Sequence, residues 1–295
     1  MAFAFTSRSD TSWQVRRIAL EQADKSLRDA EEMTDGFDVT VHRIRRRCKR
    51  MRGLLRLVRP VFDDYSRENA IVRDAAAELS GSRDAKVVLD TFDALAADGL
   101  LSLPMDSREA VRSVLQPPDA RVSEPQGRAL LEGFAARMRP LRDRVPNWRL
   151  DGRGFGLIEE GLEATYRHLR ESYAAAARSG SAENLHEWRK AVKYHWHHVT
   201  LLERAAPDVL APQRDTLDRL AEHLGDHHNL AVTGERLGSC DKLGEAVINQ
   251  VHAAVTRRQH ELADAALNLG AQIAAERAGA FRDRVSAYWH LLPER

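Results

Sequence analysis

"VHRIRRRCKRMRGLLRLVRP", residues 41–60, carries nine Lys or Arg side chains and one His, and no carboxylate. The nearest acids in the chain are Asp38 before it and Asp63 after it. Placed on a helix, Val41, Ile44, Cys48, Met51, Leu55 and Val58 recur at alternating spacings of three and four, which is one continuous apolar stripe. His42, Arg45, Lys49, Arg52, Arg56 and Arg59 recur at the same spacings one position on, so they form a second stripe about 100° away. The pattern predicts a helix over about 38–59, stopped by Pro60, that packs through one stripe and displays a cationic row beside it. At ~1.5 Å per residue the row is roughly 25 Å long. Like charges at i,i+4 cost a few tenths of a kcal/mol per pair, and no acid within the segment relieves them. Either carboxylates from other helices neutralise the row, or an external anion does.

Working outward, nearly every segment between breakers has helical period. Helices are expected from Asp10 or Thr11 towards Gly36, at 63–79 and 84–97, and at 125–144. Further helices are expected at 156–178, 182–205, 213–224, 227–237, 242–268 and 270–291. Gly99, Pro104, Pro117, Pro118 and Pro125 break residues 98–126 into a short helix and linkers, and "VPNWRLDGRGFG" (145–156) is the clearest loop. No stretch alternates with period two between turn residues. The fold class is all-α.

The basic segment has a counterpart. "VHRIRRRCKR" (41–50) aligns with "LHEWRKAVKY" (185–194), pairing His42, Arg45, Arg46 and Lys49 with His186, Arg189, Lys190 and Lys193 at a separation of 144 residues. "LSGSRDAKV" (79–87) aligns with "LGDHHNLAV" (224–232) at 145. Two matches at nearly one offset point to two helical bundles related by an internal repeat, residues 10–145 and 156–291, within one domain of 295 residues. His186, Arg189, Lys190, Lys193 and His197 again share one helix face, although Glu183 and Glu187 lie close by and Trp196 and Thr200 stand where the first segment has Arg52 and Arg56. If the two faces meet, they form a cationic groove suited to a linear polyanion. Arg offers a planar fork to phosphate oxygens and Lys a compact point charge.

Composition narrows the rest. With 45 basic and 44 acidic residues the net charge is +1, so polyanion binding has to come from a local patch. Two cysteines, Cys48 and Cys240, make no disulfide framework and suit a reducing cytosol. "MAFAFTSRSD" (1–10) lacks the basic region and long apolar run of a signal peptide, and no run approaches a membrane span. The expected location is cytoplasmic.

On these residues the chain resembles the CHAD family, the conserved histidine α-helical domain. His42, Arg45, Lys49, Arg50 and Arg52 carry its pattern in the first half, and His186, Arg189, Lys190 and Lys193 in the second. Its turn motif looks like Arg83-Asp84 and His228-Asn229. The resemblance implies two helical bundles with pseudo-twofold symmetry around a basic groove, binding of inorganic polyphosphate, and association with polyphosphate granules and their proteins. The polyphosphate contacts expected from pattern and resemblance together are His42, Arg45, Arg46, Lys49, Arg50, Arg52, Arg56, His186, Arg189, Lys190, Lys193 and His197.

Other chemistries find less in the sequence. A nucleic-acid-binding helical protein is the alternative for a basic helix, but no DNA- or RNA-reading motif accompanies it. A phosphohydrolase would need a metal or nucleophile-positioning set that is not visible, so no enzyme activity, cofactor or metal is expected. His223 and His227 have ligand spacing, but Glu183-x-x-His186 lacks the second copy a di-iron bundle requires. Cys48, on the apolar stripe, is expected to be a buried, inert thiol.

Overall fold

A computed structural model describes residues 3–79, 83–115, 122–238 and 243–294, with the side chains of 83–86 left out. The described residues form eleven α-helices and no strand: α1 (Thr11–Glu32), α2 (Phe37–Leu57), α3 (Tyr65–Glu78), α4 (Arg83–Ala97), α5 (Met105–Leu115), α6 (Glu124–Arg144), α7 (Glu159–Ser179), α8 (Ala182–Leu202), α9 (Pro207–Gly238), α10 (Glu245–Ile273) and α11 (Ala278–Trp289). The all-α expectation holds. Local chemistry explains several boundaries. Ser123 and Gln126 close a capping box at the start of α6. Ser181 Oγ accepts the Asn184 N–H at 3.2 Å to start α8, and Gly180, at φ +59°, ends α7 in the left-handed conformation that glycine tolerates.

Three boundaries differ from the sequence reading. Residues 207–238 are one helix, where two were expected at 213–224 and 227–237. Gly225 sits inside it without breaking it and makes room for the Arg189 guanidinium, which lies 3.6 Å from where its Cβ would stand. Gly270 likewise lies within α10, where a Cβ would strike the rings of Trp188 and Tyr173, so this helix runs on to Ile273. Tight packing, rather than chain termination, explains both glycines. Finally, the loop at 145–156 is a packed connector. It contains a 3₁₀ turn at Val145–Asn147, buries Trp148 and Phe155, and donates the Asp151 N–H to the Val61 carbonyl at 3.0 Å.

The main hydrophobic core does not divide at 145–156. It runs continuously through α1, α2, α3, α6, α7, α8, α11 and the first part of α9. A smaller core joins α4 and α5 to the end of α9 and the first half of α10 through Phe92, Leu95, Leu230, Leu237 and Val251. All six residues of the apolar stripe, five on α2 and Val58 just after it, are buried. The apolar start of the chain is also part of the core: Phe3 and Phe5 are buried, and the Phe5 N–H donates to the Leu201 carbonyl at 2.9 Å.

Two glycines fix where α2 meets the second half of the chain. A Cβ on Gly53 would lie 2.7 Å from the Cβ of His197, and the His198 Nε2–H donates to the Gly53 carbonyl at 2.9 Å. Gly53 and His197 stand 144 residues apart, the separation of His42 from His186, so α2 and α8 cross at matching positions of the two aligned segments. Gly161, in the first turn of α7, lies directly against the carbonyls of Arg56 and Leu57 at the end of α2. The positive end of one helix there meets the negative end of another.

Candidate functional site

The crossing of α2 and α8 divides the cations of the basic segment into two groups. Arg43 and Arg47 turn towards α1: Arg43 pairs with Asp35 at 2.6 Å and with Asp29, and Arg47 pairs with Asp29 and donates to the Lys25 carbonyl at 2.8 Å. For these two, neutralisation by a neighbouring helix is the answer. Lys49 and Arg52 turn the other way and line a pocket of about 160 Å³ together with Arg189, Lys190, Lys193, Tyr194 and His197 of α8. No carboxylate is among its lining residues.

Six of the twelve predicted contacts, Lys49, Arg52, Arg189, Lys190, Lys193 and His197, are thus brought to one pocket. Arg52 Nε donates to Asn69 Oδ1 at 3.1 Å, which holds the guanidinium at the α3 side. Lys190 pairs with Glu187 at 2.6 Å on the exposed rim. Lys193 stacks over Trp196 at 5.6 Å and reaches Asp218 of α9 at 3.9 Å. Burial lowers the pKa of both Lys193 and Arg189 from their ordinary values, with Asp218 and Glu222 opposing the shift at Lys193 and Asp226 at Arg189. A bound anion would offset that desolvation.

The other predicted residues take different places. Arg45 reaches α3, where its Nη1 donates to the Ala76 carbonyl at 3.4 Å. Arg50 lies over the Phe3 ring at 5.4 Å, and Arg56 over Tyr194 at 4.2 Å. His42 and Arg46 are exposed on α2, towards its N-terminal end. His186 stacks on His228 at 4.4 Å between α8 and α9, and burial, then the neighbouring His228, lowers its pKa. His197 is nearly buried at the helix crossing with its ring against Phe3 and Trp196. Burial first, and the charges of Arg50, Lys193 and Lys49 in addition, hold it neutral.

Sequence reasoning missed Tyr194. It aligns with Arg50 in the second segment, which gave no sign that its ring would stack against Arg56 and, at 6.0 Å, Arg52. The ring holds these guanidiniums beside the pocket at the cost of one cation in the α8 row. In the neighbouring histidine-rich stretch 195–198, His195 and His198 are core residues.

Cys48 is buried as expected, and burial pushes its thiol up to about 12 against the opposing pull of Arg45, Arg52 and Arg47. In a Cys240→Ser background, Cys48 should resist a thiol reagent in the native protein and react once denaturant is added. Rapid labelling of the folded protein would contradict this placement. Cys240 itself and the Arg83-Asp84 side chains lie outside the described residues.

No helix among the described residues is long and apolar enough to cross a membrane. Comparison with curated protein sequences gives no match. Among solved structures, PptA from Streptomyces chartreusis is similar with a TM-score of 0.62 at 13% identity, over 92% of this chain and 100% of that one. The CHAD domain from the plant Ricinus communis is similar with a TM-score of 0.54 at 21% identity, over 99% of this chain and 96% of that one. At these identities the likeness is one of fold. The sequence profile of the CHAD domain matches residues 17–238, from α1 to the end of α9, and so takes in both basic helices. The chain belongs to the CHAD domain family.

Proposed function

We propose that this protein binds inorganic polyphosphate in the cleft between α2 and α8. The observation that carries this reading is the pocket in which Lys49 and Arg52 of one helix face Arg189, Lys190 and Lys193 of the other with no acid in its lining. Five cations converging from two helices, in a chain of net charge +1, match a linear ligand with one negative charge per repeating unit. Binding draws on charge-assisted contacts to phosphate oxygens and on release of counterions. It requires no turnover, and the protein acts as a binder that would travel with polyphosphate granules where these form. Incubation with polyphosphate and Mg²⁺ should release no phosphate.

The test is a titration with polyphosphates of defined length at low and near-physiological salt. Affinity should rise with length until the cleft is filled. With about five phosphate contacts it should fall by roughly three decades per tenfold rise in salt. The variant Lys49→Glu, Arg52→Glu, Lys190→Glu should lose at least about a hundredfold in affinity, twice the ~1.4 kcal/mol of one decade, while its helical circular dichroism persists. Undiminished binding by this folded variant would remove the cleft as the site.

A further inference from the structure

The groove is not symmetric in charge. On α9, Asp218, Glu222 and Asp226 recur every four residues, so they share one face. Three contacts set α9 antiparallel to α8 and fix the register: His186 against His228, Arg189 against Gly225, and Lys193 against Asp218. The acidic stripe therefore runs alongside the basic row of α8 over the same length. Asp218 is half-exposed, and Glu222 and Asp226 are exposed. On the α2 side the acids of α3 pair outside the pocket, Asp74 with Arg73 and Glu78 with Arg137, whereas Asp218 of α9 meets Lys193 of the row itself.

We propose that the stripe Asp218–Glu222–Asp226 is the specificity determinant of the groove, admitting a single phosphate chain and rejecting double-stranded nucleic acid. The inference rests on the polyphosphate reading above. Lys193 stands 3.9 Å from Asp218, so the stripe borders the cation row on its α9 side, with Glu222 and Asp226 about one and two turns further along. A single chain seated in the cleft lies against α2 and α8, with its charge on the cations and Lys193 standing between it and the stripe. A duplex carries a second row of phosphates across grooves of about 6–12 Å. With one strand on the cations, the other falls on the carboxylates. Like charges at that position oppose docking.

The experiment measures affinity for polyphosphate and for duplex DNA of matched charge, in the wild type and in Asp218→Asn, Glu222→Gln, Asp226→Asn. These exposed amide replacements keep shape, and a melting curve checks the fold. Removing three repulsions of a few tenths of a kcal/mol each should tighten duplex binding by about tenfold and polyphosphate binding by less than about threefold. Glu222→Gln alone, at an exposed position, should shift duplex binding the same way by about twofold. Equal factors for the two ligands, or no change for duplex, would overturn the inference and leave the polyphosphate reading intact. A wild type that binds no polyphosphate at low salt would overturn the reading, and this inference with it.

Discussion

Gly161→Ala should be among the most damaging single substitutions in the protein. A Cβ there would lie 2.6 Å from the carbonyl carbon of Leu57, closer still to its oxygen, and 3.1 Å from the Arg56 oxygen. All three are backbone atoms at the end of α2, so relief requires the two helices to separate. Ordinarily Gly→Ala in a helix gains up to about 1 kcal/mol from propensity. Overpacking of this kind costs roughly 1–3 kcal/mol or more, and here the clash is with a helix end that cannot rotate away. A net loss of about 3 kcal/mol should lower the melting temperature by roughly 10 °C. Gly133→Ala is the matched control: it lies on the exposed face of α6 with nothing within 4 Å of its Cβ position, and it should stabilise slightly. If both variants melt alike, the close seat of α7 on α2 is wrong. The substitution would also disturb the groove, because the same contact sets the angle at which the cationic row meets the second half.

Acid should unfold the protein well above the range where carboxylates alone would. His195 and His198 are fully buried and neutral, and burial pulls both down to about 3. His198 and the Arg284 guanidinium add to the effect at His195, and at His198 the hydrogen bond to the Gly53 carbonyl opposes it while the Arg56 guanidinium adds to it. Both His195 nitrogens lack a hydrogen-bond partner, and the ring packs between Tyr166 at 4.9 Å and Phe281 at 5.0 Å. In the unfolded chain these rings take a proton near pH 6.5, and in the folded protein only near 3. Between those values the unfolded state binds more protons, so stability is complete above about pH 6.5 and falls as pH drops towards 3. Each histidine costs up to ~1.4 kcal/mol per pH unit in that window. Together they remove about 4 kcal/mol by pH 5, a large part of a typical folding free energy. Denaturant titrations at pH 8, 6 and 5 should show this decline. His195→Phe should lower the slope by about a third, since its ring carries no proton while His197 and His198 still oppose protonation in the folded protein. A slope equal to the wild type's would show that His195 does not titrate on unfolding.

The stripes on residues 41–59 were legible because a helix with one apolar and one cationic face has a period that sequence displays directly. All six apolar positions are buried, and the helix ends within two residues of the expected place. The same holds for the class of fold. What could not be read were the partners of each cation. Arg43 and Arg47 differ from Lys49 and Arg52 only in angle around α2, yet the former meet Asp29 and Asp35 and the latter meet α8. Nor do the glycines declare themselves. Gly225 and Gly270 read as breaks, and are places where Arg189 and Trp188 come close to a helix axis.

By itself, then, the sequence determined an all-helical chain, a displayed cationic row on α2 and a related face on α8, because these follow from periodicity and charge within single helices. Tertiary structure alone decided that the two faces share a pocket, that Tyr194 holds the arginines of α2, and that Asp218, Glu222 and Asp226 flank only one side. The physical reason is contact between helices. Gly53 and Gly161 permit backbones to approach where any larger side chain would hold them apart, and that approach fixes which charges face one another.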